Sequence, residues 1–333
     1  MGHKVLGLEI SGKEIKTALV KNGARPQILY CAAYPTPFLR GEGLADDENE
    51  ISSVLMTLKD VFRQNKALAR ADAVSVCVTD PQTGVRHVKL PAFDKKEQKG
   101  AVEYELQQSF PGVTRTHAIS FREYTRTKSE VTGIVAFAPK KNLEGYRKLL
   151  EELPFKAQSL DVVANADEKA FRAFASPLTK DETVLICDIK SSDTYFTIVS
   201  RGQVLQSRQI PEGRRHTADA ICTALSCSQA EFDKMCAGNS PDSAQLAAMA
   251  ETGYRYIQEQ LRQTIDFFTT EYKRPVGCVY LTGDGSVFPA IATHFTESVG
   301  VQTKLMVPKS EIKADKTVFL KAFSVLGAAI RED

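Results

Sequence analysis

Residues 187–194, Cys187-Asp188-Ile189-Lys190-Ser191-Ser192-Asp193-Thr194, set a short polar turn between two apolar runs, 183–189 and 194–200. A third run, 203–210, follows the turn at Gly202. Brief apolar runs bounded by Gly, Ser, Asn and Asp read as strands, so this segment predicts a three-stranded meander. The amino terminus is written the same way. Runs 4–10 and 15–20 flank Ser11-Gly12-Lys13-Glu14, and 27–34 follows Lys21-Asn22-Gly23. Two meanders of one layout in a single chain indicate an internal duplication. The break near 176–182, with Ser176-Pro177, divides the chain into a first lobe, 1–178, and a second, 179–333.

Between the meanders, apolar residues at Ile51, Val54, Leu55, Leu58, Val61 and Phe62 trace one face of a helix. Strands are expected at 74–78 and 85–90, joined by 79–84. Asp94 is a candidate N-cap for a helix over 95–109. Strands near 118–124 and 131–138 and a helix over 140–152 complete a β-α-β-β-α pattern, read as an inserted α+β subdomain over about 74–152 on the first lobe. A strand at 157–160 and a helix at 162–174 lead to the break. In the second half, helices at 217–225 and 229–236 precede one long helix, 243–273, whose apolar period stays near 3.6. Together they form a helical subdomain over about 217–273. Gly253 inside that helix points to close packing. Strand 276–282, a helix to about 298, strand 301–307 and a helix over 318–331 finish the chain. The fold class is mixed α/β.

Composition narrows the function. The chain has 333 residues, 43 Lys+Arg against 41 Asp+Glu, and a net charge of +2, so no excess charge points to a nucleic acid. Its apolar runs are strand-sized, which argues against membrane insertion, and no secretory leader is recognisable. Seven cysteines at 31, 77, 187, 222, 227, 236 and 278 contain no CxxC pair, as expected for a chain in a reducing cytosol. The five histidines show no i, i+4 pairing, and Cys222, Cys227 and Cys236 read as packing thiols. No Walker A sequence, GxSxG elbow or HExxH is present.

Three turns carry the candidate chemistry: 8–16, 187–194 and Leu281-Thr282-Gly283-Asp284-Gly285-Ser286. An acid leaving a strand before small polar residues offers backbone N–H groups and hydroxyls to a phosphate, and a glycine turn before a helix lets a ligand approach. Taken in order, they resemble the actin, sugar-kinase and DnaK superfamily, and within it the PilM family of type IV pilus assembly, itself similar to FtsA. Residues 5–16 resemble that family's GxDIGxxxxK, including Lys16. Leu90-Pro91 with 99–111 is similar to its LP…ExxxxxP segment, and Ser159-Leu160-Asp161-Val162 to its strand before the linker helix. Asp188, Arg208 and Gly213 fall at the second phosphate hairpin. Ala230-Glu231-Phe232-Asp233-Lys234 matches AExxK, and residues 282–286 and 326–331 complete the likeness.

The resemblance implies an actin-like ATPase fold of duplicated RNase H-like lobes. It also implies a scaffold, at most a weak ATPase, that binds the cytoplasmic tail of an inner-membrane PilN-like partner in a groove of the first lobe. Such a chain would be cytoplasmic and recruited to the inner membrane by its partner. ATP would meet Ser11, Gly12, Lys16, Asp188, Lys190, Ser191, Ser192, Gly213, Glu231, Lys234, Gly283, Gly285 and Ser286, and Mg2+ would meet Asp188 and Glu9. The sequence departs from the pattern where Glu9 replaces Asp, Ser11 and Lys190 replace Gly, and Asp284 interrupts a glycine triplet. Lys190 would either pair with phosphate or obstruct it. Two other readings stay open: a small-molecule kinase of the superfamily, which needs an acid beside an acceptor pocket, and a docking protein that binds no nucleotide.

Overall fold

A computed structural model describes residues 2–11, 14–36, 43–175, 182–237, 243–309, 312 and 315–331. The expected lobe boundary at 178/179 and Gly12 lie outside the described residues.

The first meander is β1 (Lys4–Ser11), β2 (Glu14–Lys21) and β3 (Gln27–Pro35). α1 (Glu48–Gln64) starts at Asp47, whose carboxylate accepts from the N–H groups of Asn49 and Glu50, and it buries Ile51, Val54, Leu58 and Val61. After the short α2 (Lys66–Ala69) comes β4 (Ala73–Val78). Then follow β5 (Gly84–Pro91), α3 (Lys95–Ser109), α4 (Val113–Thr116), β6 (His117–Arg126), β7 (Glu130–Pro139), α5 (Lys140–Glu151), β8 (Ala157–Val162) and α6 (Val163–Phe174). The second meander is β9 (Thr183–Ile189), β10 (Thr194–Ser200) and β11 (Gln203–Ile210). Helices α7 (Arg214–Leu225), α8 (Gln229–Ala237), α9 (Ser243–Gly253) and α10 (Arg255–Tyr272) lead to β12 (Cys278–Thr282). A 3-10 turn (Asp284–Val287), α11 (Ile291–Val299), β13 (Thr303–Leu305), α12 (Lys316–Lys321) and α13 (Phe323–Ala328) end the chain.

The duplication is visible in strand order. One sheet runs β3-β2-β1-β4-β8, and the second contains β11-β10-β9-β12-β13, each an antiparallel meander continued by two parallel strands. One core packs β1, β2, β4, α1 and α5 through residues such as Leu8, Leu58 and Leu149; another packs β9 and β10 against α7–α11 through Phe196, Tyr254 and Leu261. A third lies between the lobes, where α6 and α13 contribute Phe171, Phe174 and Leu326. Each such buried Leu or Phe contributes about 1.5–3 kcal/mol.

Three expectations change. Strand β4, read as part of the insert, lies inside the first sheet between β1 and β8, and α5 packs its Tyr146, Leu149 and Leu150 into that lobe's core. The part that stands apart is β5–β7–β6 with α3, built on its own small core of Val88, Leu90, Val102, Leu106 and Val135. It belongs to the first lobe along the chain, yet β5 pairs with β11 at Arg86 and Gln206 and so extends the second lobe's sheet to eight strands. The long helix expected over 243–273 is two helices, broken at Tyr254. Gly253 there lies against Thr217, where a Cβ would come within 2.4 Å of the Thr217 methyl carbon. The apolar period runs through this break unaltered, because both helices face the same core. The carboxy-terminal helix is likewise divided, at Ala322. Asp94 stands at the N-cap of α3 but makes no capping hydrogen bond through its side chain.

Candidate functional site

The ends of β1 and β9 lie close together, and the two strands direct charged side chains into one buried cluster. Glu9, near the end of β1, and Asp188, near the end of β9, are both almost fully buried. Lys190 follows β9, with its N–H donating to the Asp193 carbonyl and its carbonyl accepting from the Arg214 N–H. That pinned backbone sends the side chain inward. The Lys190 ammonium donates to Glu9 Oε2 at 2.8 Å and to the Ser324 hydroxyl at 3.0 Å, and lies 2.8 Å from Asp188 Oδ2. From β2, Lys16 Nζ reaches Asp284 Oδ2 at 2.7 Å and Glu9 Oε1 at 3.3 Å. Ser11 Oγ donates to Glu9 Oε1 at 3.0 Å.

Charges this deeply buried persist only when paired. Burial alone would raise the Glu9 carboxyl, but Lys190 and Lys16 outweigh it and hold Glu9 down at about 2. Burial pulls the other way on both lysines, and the acids win: Asp284 and Glu9 raise Lys16, and Asp188 and Glu9 raise Lys190. Asp167, from α6, is the exception. Burial and then the neighbouring Asp188 charge push it well above the usual carboxyl range. Proton counting agrees. Ser324 Oγ lies 2.7 Å from Asp167 Oδ1, 2.8 Å from Asp188 Oδ2 and 3.0 Å from Lys190 Nζ. A hydroxyl carries one proton. It accepts from Lys190 and donates to one carboxylate, so the other carboxyl must itself be the donor. Asp188 has an ammonium beside it; Asp167 takes the proton.

A divalent cation does not suit this geometry. Such an ion needs carboxylate oxygens with open coordination. The two acids expected to hold it, Glu9 and Asp188, share the Lys190 ammonium instead. The remaining Asp188 oxygen, Oδ1, has no hydrogen-bond partner, but the Gly283 backbone stands against it: a Cβ on Gly283 would lie 2.2 Å away. Gly283 has φ +86°, and this close approach leaves no room for a side chain. Among the described residues, no group of three or more His, Cys, Asp or Glu side chains is arranged to hold a metal. The residues present do not fit Mg2+.

The other expected nucleotide residues are dispersed. Ser191, Ser192 and Gly213 line an open hollow of about 780 Å3 with Arg215, His216 and Asp219, made wholly by the second lobe. Glu231 and Lys234 are exposed on α8. Glu231 accepts from the Ser228 N–H and hydroxyl, the arrangement of a capping box. Gly285 packs beneath Ile189 and the Tyr254 hydroxyl, and Ser286 Oγ donates to the Gly283 carbonyl. Sequence reading missed Asp167 and Ser324. The readable signal for Asp167 was an acid four residues from both Val163 and Phe171, on the apolar face of α6; Ser324 gave none.

A second feature lies on the first lobe. β8 is the edge of the five-stranded sheet, with Leu160 39% exposed. Between it and strands β6 and β7 lies a groove of about 330 Å3, lined by Ile119, Ile134, Phe137, Leu143 and Leu160 and by the polar Arg122 and Asn165. The Arg122 guanidinium donates to Asn165 Oδ1 at 2.6 Å.

A family model described as type IV pilus assembly protein PilM matches residues 7–327. No curated protein sequence matches the chain. Among solved structures, the PilM–PilN type IV pilus biogenesis complex superimposes with a TM-score of 0.80 at 19% identity, covering 98% of this chain and 97% of that one. The ethanolamine utilization protein EutJ from Carboxydothermus hydrogenoformans gives 0.56 at 12% identity, covering 98% and 88%. MreB 5 of Spiroplasma citri bound to AMPPNP gives 0.54 at 10% identity, covering 98% and 94%. These likenesses identify an actin-like ATPase fold.

Proposed function

Since the chain belongs to the type IV pilus assembly PilM family, we propose that it is an actin-like scaffold that docks a PilN-like membrane protein through that partner's cytoplasmic tail. The observation that carries this reading is the groove beside β8. An extended peptide laid along an edge strand gains main-chain hydrogen bonds, while alternate side chains enter apolar pockets. Ile119, Phe137 and Leu160 supply apolar walls, and Arg122 and Asn165 supply polar groups. Among the described residues no helix is long and apolar enough to cross a membrane, so on this reading the docked tail is what recruits the scaffold to the inner membrane. The reading carries no ATP requirement. The residues assigned to nucleotide are divided among the buried cluster, the hollow on the second lobe and the exposed face of α8.

Calorimetry with a synthetic peptide of the partner's cytoplasmic tail tests the docking. Saturable binding is expected, weakened at least tenfold by Leu160→Asp. Absence of binding, or affinity unchanged by that substitution, would remove the groove from the account.

A further inference from the structure

We propose that Lys190 is a built-in cation standing in for a divalent metal between Glu9 and Asp188, so that the two lobes are cross-linked without a bound nucleotide–metal complex. The argument begins with placement. Glu9 comes from the first lobe and Asp188 from the second, and the Lys190 ammonium lies 2.8 Å from an oxygen of each. One positive centre bridging carboxylates of two lobes does the electrostatic work of a bridging ion. It needs no dehydration of a metal, because the lysine arrives on the chain.

A second crossing runs in the opposite sense. Lys16, from β2 of the first lobe, reaches Asp284, which follows β12 of the second. Each lobe therefore contributes one lysine and receives one. The cluster sets the carboxyl groups of Glu9, Asp167, Asp188 and Asp284 against two ammonium groups, Lys16 and Lys190. Ser324 of α13 lies within hydrogen-bond distance of the same Asp188 oxygen and of Asp167 on α6. The surplus is negative, so a polyphosphate entering at this depth would meet repulsion, and a metal would have to displace an ammonium held by three partners. Lys190 also lies 6.0 Å from the ring centre of Tyr195, whose hydroxyl donates to the Thr79 carbonyl beyond β4 of the first lobe. That adds a further tie across the cleft at the same lysine.

The test uses Mn2+ as a spectroscopic probe and the full chain. In electron paramagnetic resonance titrations, the wild-type protein is expected to show no saturable Mn2+ binding that Asp188→Asn abolishes. Lys190→Gly frees both acids, so it should acquire such a site. Its melting temperature should fall in EDTA and rise again with Mg2+, while the wild type melts at the same temperature in both. Adding Glu9→Gln to Lys190→Gly should abolish the rescue. Wild-type Mn2+ binding that is lost in Asp188→Asn would overturn the proposal, as would a folded Lys190→Gly protein indifferent to Mg2+. Should Lys190→Gly not fold, the wild-type titration decides the matter alone. Tail-peptide binding is read separately, so failure here leaves the docking assignment standing.

Discussion

The acids that close the two leading strands are held differently. Glu9 has two ammonium neighbours, Lys190 at 2.8 Å and Lys16 at 3.3 Å, whereas Asp188 has one, Lys190 at 2.8 Å, and the Ser324 hydroxyl. The lobes share strand order and direction, so the difference comes from side chains placed on an equivalent frame. The second lobe placed a lysine directly after its strand. The first placed its lysine one strand later, where it reaches out to Asp284. Duplication preserved the scaffold and let the two turns become complementary rather than alike.

That asymmetry makes Lys190 the more consequential lysine. Lys190→Met leaves buried Asp188 without its ammonium and Glu9 with Lys16 alone, and removing one partner of a buried pair costs about 3–5 kcal/mol. Lys16→Met should cost about half as much or less on the same scale, because Glu9 keeps Lys190 and Asp284 sits nearer solvent at 7% exposure. Denaturant melts of the two variants check the order. Equal losses would mean that the two lysines are equivalent and that the comparison is wrong.

Acid sharpens the same contrast. Glu9 is held at about 2 in the folded chain against an ordinary 4.5. A lowered folded-state pKa gives stability that is complete above the ordinary value and disappears as pH falls toward the folded one. Stability should therefore decline from about pH 4.5 to about pH 2, with Glu9→Gln flattening that part of the curve. Asp167 acts with the opposite sign: its raised pKa gives stability that is complete below its ordinary value and is lost as pH rises through the folded one. Urea melts across pH 2–7 measure both, and an identical slope in Glu9→Gln would exclude Glu9 as the source. The smallest effect belongs outside the cluster. Glu231→Ala removes only the reciprocal half of the Ser228 cap on α8 and should shift the denaturant midpoint less than either lysine variant, with Mn2+ and nucleotide titrations unchanged from wild type; altered nucleotide affinity would return α8 to the cleft.

The meanders were legible because their turns fall where backbone chemistry demands small and polar residues, and 183–189, 194–200 and 203–210 emerged within a residue of β9, β10 and β11. The break at Tyr254 was not legible, since α9 and α10 keep one apolar stripe across it. Neither was the pairing of β4 beside β1: an apolar run shows that a strand is buried and says nothing of its neighbour. At the site, sequence supplied Glu9, Lys16, Asp188, Lys190 and Asp284 as individuals. The partnership of Glu9 with Lys190 spans 181 positions and depends on how two lobes close. Spacing within a turn carries no record of that.

The crossed lysines also act as a ratchet on sequence drift. Lys190 cannot be exchanged alone without leaving Asp188 without an ammonium and Glu9 with Lys16 alone, and neither Glu9 nor Asp188 can be exchanged alone without unbalancing Lys190. Only compensated changes, one on each lobe, pass through folded intermediates at little cost. The single step that leads back to a metal is loss of the Lys190 side chain, and it is open only where a divalent cation is at hand to take the ammonium's place between Glu9 and Asp188.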